Sequence, residues 1–315
     1  MTSFAPYIQL SQSEVAVQIE RLVQAIEQHD TPAFRFRQTR SGEEQVEETR
    51  LSRYFDHIQQ MFDLFDDCHS YRYSEHLQVF QDACCDIGLE RSPVGLVCLN
   101  EQESAYLDSH RTMNAVVERI RELTCEPHYR RRKSDRSYEV GQLQRRVSKY
   151  VDAVLDRYSR TVVVRVNLYY RTEAQARLRA EHVFDHLDRL IDARERNPIF
   201  EHETGYICSV EQGARRGYHI HAAFFFNGAE VRGDVYKAQK IGELWERITQ
   251  GQGCYDSCNH DKDAYGDRCA IGIILRSDDD VRPHVHRAMH YLVKGEQNLR
   301  MKPVGARAVR MGICR

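Results

Sequence analysis

The sequence predicts an α+β fold in which a central antiparallel sheet flanked by helices follows a helical N-terminal region. Before residue 150, apolar residues recur with a helical period and no segment alternates as a strand does. After residue 150, segments rich in β-branched and aromatic residues are interleaved with amphipathic helices. Two of these strand segments are separated only by a short turn, so we expect them to pair as an antiparallel hairpin.

Four amphipathic helices are predicted in the first half of the chain, over residues 12–28, 51–65, 73–89 and 101–123. No candidate catalytic or metal-binding group occurs among them. The second half is predicted to contain, in order, strand, helix, strand, strand, helix, strand and helix, over residues 161–170, 173–196, 204–210, 218–226, 233–249, 270–275 and 281–294. We therefore predict a helical accessory domain over residues 1–150 and a second domain, which carries the candidate chemistry, over residues 151–315.

Composition and charge narrow the class of protein only slightly. No apolar run is long enough to span a bilayer, and the first ten residues lack the basic and apolar blocks of a signal peptide. We therefore expect a cytoplasmic protein with no membrane partner, whose ten scattered cysteines are reduced thiols. The formal net charge of −2 neither supports nor excludes a nucleic-acid partner, because one local basic face is sufficient for binding.

The strongest local signal is the pair His219 and His221 in the third predicted strand. Residues i and i+2 of a strand face the same side, so the two imidazoles project side by side. Glu211 precedes them across a turn rich in glycine and arginine, and a hairpin can bring its carboxylate back over the histidines. Two imidazoles and one carboxylate suit Mg²⁺, Mn²⁺ or a related divalent ion. The alternative is two histidines on an exposed strand and a solvated glutamate.

A second signal is the Tyr291-Leu292-Val293-Lys294 segment in the last predicted helix. Tyr291 and Lys294 are three residues apart and share a helix face, so both can act on one phosphate. A neighbouring ammonium group favours the nucleophilic phenolate, and a metal that polarises the phosphate makes attack easier. The alternative is an ordinary core tyrosine followed by a cation at the C-terminal end of a helix.

Two basic clusters are candidate phosphate contacts. Arg215 and Arg216 lie in the turn of the predicted hairpin, and Arg131, Arg132 and Lys133 belong to a basic run near residue 130. A solvated linker or the end of a helix explains the second cluster equally well.

In their order along the chain, the glutamate, the histidine pair and the later tyrosine and lysine resemble the motifs of HUH rolling-circle replication initiators. Relaxases of conjugative plasmids place the tyrosine before the histidines instead. More narrowly, residues 160–315 resemble the inovirus-type gene-two protein family, which includes the YagK/YfjJ C-terminal domain proteins of prophages. The segments that carry this resemblance are Gly217-Tyr218-His219-Ile220-His221, residues 245–253, Gly272-Ile273, and Tyr291-Leu292-Val293-Lys294 with Gln297.

The resemblance implies an HUH endonuclease domain that nicks and rejoins single-stranded DNA at a replication origin, and so initiates rolling-circle replication of a filamentous phage or prophage element. It implies that Glu211, His219 and His221 hold Mg²⁺ or Mn²⁺. It further implies that Tyr291 forms a covalent 5′-phosphotyrosine and that Lys294 positions the phosphate. The implied partners are origin DNA and the helicase and polymerase of the bacterial host. The helical first half is then a candidate DNA-recognition domain.

Two other functions fit the same residues. One is a transposase-like strand transferase with the same chemistry, and the other is a catalytically inactive, DNA-binding regulator of a prophage. One residue also departs from the expected pattern, because Asn167 lies in the first strand where we expect many relatives to carry an acid. If that acid helps to bind metal or DNA, its role is in question here.

Two further clusters have weaker metal-binding patterns. The first has the residue types of a zinc site with irregular spacing, and consists of Cys254, Cys258, His260 and Cys269. In the second, His286 and His290 share a helix face close to His284, but no general-base glutamate lies between them. The spacing of the first cluster neither supports nor excludes a zinc site. For the second cluster we expect a contact with DNA or an ordinary exposed surface.

Overall fold

The computed structural model describes residues 9–66, 70–294 and 299–313, and the chain divides into two units. Met1–Asp135 and Arg300–Val304 form the first unit, and Arg136–Leu299 and Gly305–Arg315 form the second. Both units combine helices with antiparallel strands. None of the helices within these described ranges has both the length and the apolar character needed to cross a membrane.

The first unit is built on three helices that pack against one another, with short antiparallel strand pairs between them in sequence. Its elements are α1 (Gln12–Gln28), β1 (Phe34–Gln38), β2 (Glu44–Glu48), α2 (Ile58–Asp63), β3 (Tyr71–Tyr73), α3 (Glu75–Asp86), β4 (Glu90–Ser92), β5 (Gly95–Val97) and α4 (Ser109–Cys125). The packed helices are α1, α3 and α4. They are amphipathic, as predicted, and bury their apolar stripes.

The sequence-based prediction misses the strands of this unit. Residues 34–37 alternate aromatic and basic side chains, as one strand of an exposed hairpin does, and Gly42 has the left-handed φ of 85° that its turn requires. The helix predicted from residue 101 begins only at Ser109. It begins there because the Asp108 carboxylate accepts a hydrogen bond from the backbone N–H of Arg111 and so caps the helix.

The second unit surrounds a six-stranded sheet whose pairings are all antiparallel. From residue 127 onward the elements are α5 (Pro127–Arg157), β6 (Arg160–Tyr170), α6 (Thr172–Gln175), α7 (Ala180–Ala193), β7 (Glu203–Gly213), β8 (Gly217–Asn227), α8 (Asp234–Ile248), β9 (Gly253–Ser257), β10 (Gly272–Leu275), α9 (Arg282–Tyr291), β11 (Met301–Pro303) and β12 (Val309–Met311). The strand order is β10, β6, β8, β7, β12, with β9 paired to the other end of β6. Strand β11 belongs to the first unit, where it pairs with β3. The α+β class and the antiparallel sheet are thus confirmed.

Helices cover both faces of the sheet. On the face of β8 that carries Ala223 and Phe225, helices α5 and α9 close an apolar core. On the opposite face, Tyr170 of β6 contacts His186 of α7 and Trp245 of α8. The central strands are therefore buried on both sides, which explains their nearly continuous apolar sequences.

Three boundaries in the second unit differ from the prediction in ways that matter for the site. Strand β7 extends to Gly213, so Glu211 lies within a strand and not in the turn. Strand β9 was not predicted, because its five residues have no apolar alternation and its pairing with β6 is a tertiary contact. The basic run at residues 130–133 lies inside the long helix α5.

Helix α5 belongs to both units. Val147, Val151 and Val154 are fully buried in the core of the second unit. The hydroxyl of Tyr150 accepts a hydrogen bond of 3.0 Å from the backbone N–H of Tyr206 in β7. Residues before position 151 therefore contribute to the core and to the sheet of the second unit.

We predict that a fragment of residues 151–315 is less stable than one of residues 136–315. The shorter fragment lacks the buried side chain of Val147, worth about 1.5–3 kcal/mol. It also lacks the hydroxyl of Tyr150, whose hydrogen bond contributes about 0.5–1.5 kcal/mol. Urea denaturation followed by circular dichroism measures the free energy of unfolding of both fragments, and equal midpoints would contradict this role for α5.

Candidate metal centre and nucleophile

The β7–β8 hairpin positions the three predicted metal ligands. In its register Glu211 lies opposite His219, and His221 lies opposite Ser209. Directly opposed residues of antiparallel strands face the same side, so all three ligands share one face of the sheet. The turn of residues 214–216 ends at Gly217, whose φ of 59° is left-handed and is adopted by glycine without strain.

The two histidines converge on one carboxylate oxygen. Nε2 of His219 lies 3.2 Å from Oε2 of Glu211, and Nε2 of His221 lies 3.1 Å from the same atom. Glu211, His219 and His221 are only 2%, 7% and 5% exposed, and one ligand atom from each lies within 4.8 Å of the others. In the part of the chain that the structure describes, no other group of three such side chains meets this condition.

The other ring nitrogen of each histidine has a partner of its own. Nδ1–H of His219 donates to the backbone carbonyl of Gly217 at 3.1 Å. Nδ1–H of His221 donates to Oδ1 of Asn167 at 2.5 Å, and Nδ2 of Asn167 donates to Sγ of Cys258 at 3.5 Å. These contacts select the tautomer in which Nε2 has no proton, as metal-binding histidines require.

This arrangement fits a divalent cation. In the selected tautomer, two unprotonated Nε2 atoms face Oε2 of Glu211, and a cation among them would remove the repulsion between their lone pairs. Oε1 of Glu211 is also buried, and it has no hydrogen-bond partner among the described residues. A buried acceptor without a partner is costly, so this second oxygen is likewise suited to a cation.

The protonation states of the cluster are consistent with metal binding. Burial raises the pKa of Glu211, but hydrogen bonds and charge from His219 and His221, when these imidazoles are protonated, outweigh burial and hold that pKa below its ordinary value. Burial lowers the pKa of His221, which favours the neutral imidazole. A charged Glu211 beside a neutral His221 is the state in which these two groups act as ligands.

The C-terminal end of α9 brings Tyr291 to this site. Its ring centroid lies 5.7 Å from that of His221, in an edge-to-face arrangement. The Tyr291 side chain is 37% exposed, whereas Val285 and Met289 earlier in the helix are fully buried in the core. Nζ of Lys294 lies 4.6 Å from the Tyr291 ring centroid, so these two predicted residues are neighbours.

Comparison with protein families identifies part of the chain. The YagK/YfjJ C-terminal domain matches residues 126–258. This segment is similar to the YagK/YfjJ C-terminal domain. It contains α5, the strands β6, β7 and β8, and all three candidate metal ligands, whereas Tyr291 and Lys294 follow it. No curated protein and no solved structure matched the chain.

The two predicted basic clusters lie in different units. In the second unit, Arg215 and Arg216 are exposed in the β7–β8 turn, and the guanidinium of Arg216 lies 4.5 Å from the ring centroid of Tyr169. Tyr169 in turn contacts His219, with ring centroids 5.6 Å apart. In the first unit, the exposed residues of α5 include Arg131, Arg132 and Lys133. Arg216 therefore belongs to the surroundings of the metal centre.

The weaker metal clusters are not assembled. Among the described residues, neither Cys254, Cys258, His260 and Cys269 nor His284, His286 and His290 satisfy the geometric condition for a metal site. The helical histidines have a different role, because Nε2 of His286 contacts the Asp152 carboxylate at 2.8 Å and Nε2 of His290 contacts the Ser148 hydroxyl at 2.7 Å. These contacts hold α9 against α5. Gln297 lies outside the described residues.

One residue of the site escaped sequence reasoning. Arg165 of β6 places its guanidinium carbon 5.0 Å from the ring centroid of Tyr291. It also lies close enough to His221 to contribute to lowering the pKa of that histidine, after burial. An arginine within a run of valines is an available signal, because the residues from Val162 to Val166 are otherwise all valine.

We predict that His219→Ala and His221→Ala each weaken Mn²⁺ binding strongly. Substitutions outside the ligand set cost about 10–100-fold in metal affinity, so the loss of a ligand should cost at least about 100-fold. Isothermal titration calorimetry on the folded variants measures the change. His260→Ala is the matched control, because His260 is exposed and outside the cluster. Mn²⁺ affinities equal to that of the unaltered chain in both ligand variants would refute the metal assignment.

Proposed function

We propose that the chain is a metal-dependent HUH endonuclease that nicks and rejoins single-stranded DNA through a covalent 5′-phosphotyrosine. The observation that carries this proposal is the position of Tyr291 beside His221, above a buried cluster of two histidines and one glutamate. The YagK/YfjJ C-terminal domain supports a prophage-related origin. Initiation of rolling-circle replication of a filamentous phage or prophage element is the biological role proposed for this chemistry.

Glu211, His219 and His221 would hold Mg²⁺ or Mn²⁺ by one carboxylate oxygen and two Nε2 atoms. When bound, the ion supplies Lewis-acid polarisation of the scissile phosphate. Asn167 and the carbonyl of Gly217 fix the orientation of the imidazoles, so the ligands do not have to be reorganised when the phosphate arrives.

The nucleophile in this proposal is the hydroxyl oxygen of Tyr291. It attacks the phosphorus, a bond forms between that oxygen and phosphorus, and the bond from phosphorus to the 3′ oxygen breaks. The phenol loses its proton, and the departing 3′ oxygen gains one. The products are a 5′-phosphotyrosyl strand and a free 3′-hydroxyl. Because one phosphoester replaces another, the reverse reaction can rejoin the strand without ATP.

Lys294 is suited to neutralise the phosphate during this exchange. It is exposed, and its ammonium group lies 4.6 Å from the centroid of the Tyr291 ring. Exposed Arg215 and Arg216 would contact neighbouring phosphates of the strand. The 3′-hydroxyl would then prime a host polymerase, with a host helicase separating the strands.

Burial of the metal cluster favours an active enzyme over a catalytically inactive regulator. A carboxylate that is 2% exposed and has one oxygen without a hydrogen bond is costly to keep. A regulator that only binds DNA would have no use for this destabilising arrangement. A transposase-like strand transferase would share these residues, and its distinguishing property is the joining of the cleaved strand to new target DNA.

We predict that Tyr291→Phe abolishes the covalent adduct with single-stranded DNA while folding and DNA affinity are retained. The substitution removes only the hydroxyl and keeps the ring that contacts His221 and Arg165. The measurement is an SDS-resistant mobility shift of a labelled oligonucleotide in the presence of Mn²⁺.

The matched control is Tyr236→Phe, since Tyr236 is exposed on α8, which covers the opposite face of the sheet. This control should form the adduct at the normal rate. An undiminished shift in Tyr291→Phe would assign the nucleophile to another tyrosine, such as Tyr255 or Tyr265. No shift with the unaltered chain on any single-stranded substrate would refute the proposed function.

A further inference from the structure

We propose that Arg165 forms an oxyanion site that binds the non-bridging oxygens of the attacked phosphodiester, and that it is therefore a catalytic residue. This inference rests on the proposed function and adds a residue to it. Three observations carry it: the position of Arg165, the lack of a counter-ion, and the chemistry of the surrounding groups.

The position of Arg165 follows from the register of the sheet. On β6, Arg165 is two residues before Asn167, so both face the same side. Asn167 lies opposite His221 on β8, and Arg165 lies opposite Ala223. Tyr291 lies beside this part of the face, with the guanidinium carbon of Arg165 5.0 Å from its ring centroid. The Tyr291 ring is thus a neighbour of both Arg165 and His221, whose ring centroid lies 5.7 Å from that of Tyr291.

The charge of Arg165 has no counter-ion among the residues that the structure describes. Among the residues that the structure describes, no carboxylate lies within 4.0 Å of its nitrogens, and its Nε is buried without a hydrogen-bond partner. Arg194 in the same unit shows the usual arrangement, because its guanidinium contacts both carboxylate oxygens of Glu203, at 2.6 Å and 2.9 Å. A partly buried guanidinium without a partner is unfavourable, since arginine cannot lose its proton.

A phosphodiester is the anion that fits this position. The planar guanidinium presents parallel N–H donors that match two oxygens on one phosphorus. The one carboxylate of the cluster, Glu211, contacts His219 and His221 through Oε2, and no ion pair joins it to Arg165 among the described residues. Before DNA binds, the ring of Tyr291 stabilises the cation through a cation–π interaction.

Bound to the phosphate, Arg165 would act on the transition state. Negative charge on the non-bridging oxygens has to be stabilised while the Tyr291 oxygen attacks, and fixed donors in a site with little water are most effective there. The cation would also hold the phosphate beside the Tyr291 oxygen. A purely structural role predicts something different, namely that Arg165 only packs on the Tyr291 ring and stabilises the fold.

The test uses the full chain with Arg165→Met, Arg165→Lys and, as a matched control, Arg189→Met. Arg189 lies on the exposed side of α7, which covers the opposite face of the sheet. Three quantities are measured for each variant: the rate of nicking of a single-stranded oligonucleotide with Mn²⁺, the affinity of the metal-free protein for inorganic phosphate, and the melting temperature. Mn²⁺ affinity is measured as a check on the metal centre.

We expect Arg165→Met to reduce the nicking rate by about 10²–10³-fold, the loss found when one oxyanion donor is removed. Phosphate binding should fall at least about tenfold, while Mn²⁺ affinity stays the same and the melting temperature is unchanged or higher, because an unpaired charge has been removed. Arg165→Lys keeps the positive charge but lacks the paired N–H donors of the guanidinium. It should therefore recover part of the nicking rate and part of the phosphate binding. Arg189→Met should match the unaltered chain.

The outcomes separate this inference from the proposed function. If the chain nicks DNA and Arg165→Met nicks within about threefold of it, the oxyanion site is refuted and the endonuclease stands. If the chain does not nick, the endonuclease is refuted, and phosphate binding decides the oxyanion site. Phosphate binding by the unaltered chain that is lost in Arg165→Met supports the oxyanion site. Phosphate binding that is absent from the unaltered chain, or unchanged in Arg165→Met, refutes it. A lower melting temperature with unchanged phosphate binding would show that Arg165 is structural.

Discussion

The site depends on one interaction, the convergence of two histidines on a single buried oxygen of Glu211. That convergence requires the register of the β7–β8 hairpin, because a shift by one residue would turn His219 and His221 to the other face of the sheet. The register is in turn set by the short turn ending at Gly217, whose carbonyl also orients His219. The turn therefore fixes both the position of the ligands and the tautomer of one of them.

Tyr291, the proposed nucleophile, is placed by packing, and not by contacts within the candidate site. Along one face of β8, the side chains change from Phe225 and Ala223 in the core to His221 and His219 in the metal cluster. Helix α9 lies over the apolar part of this face and ends at Tyr291, where the polar part begins. Burial of the helix thus brings its last residue to the candidate metal cluster, and the polar contacts with α5 keep the helix in place.

What sequence reasoning could recover depends on how local the information is. The grouping of Glu211, His219 and His221 was predicted because the i, i+2 rule for strands and a hairpin need only neighbouring residues. Arg165 was not predicted as a site residue, because only its contact with Tyr291 of α9 distinguishes it. Helix α9 follows more than one hundred residues later in the sequence. Strand β9 was missed for the same reason, since only its pairing with β6 defines it. The predicted domain boundary after residue 150 was based on where strand-like segments begin. Hydrophobic periodicity within a helix cannot show that the last turns of α5 complete the core of the second unit.

The departure at Asn167 and the unpaired charge of Arg165 are two aspects of one arrangement. These residues are two apart on β6 and face the same side, so an acid at position 167 would lie about 6.6 Å along the strand from the guanidinium, within reach of its long side chain. Such an acid could accept the hydrogen bond from His221, but it would also neutralise Arg165. The neutral amide of Asn167 orients His221 without adding charge, and its other end is held by Cys258. The amide thus leaves the positive charge of Arg165 available to an anion that comes from outside the chain, as the proposed phosphate site requires.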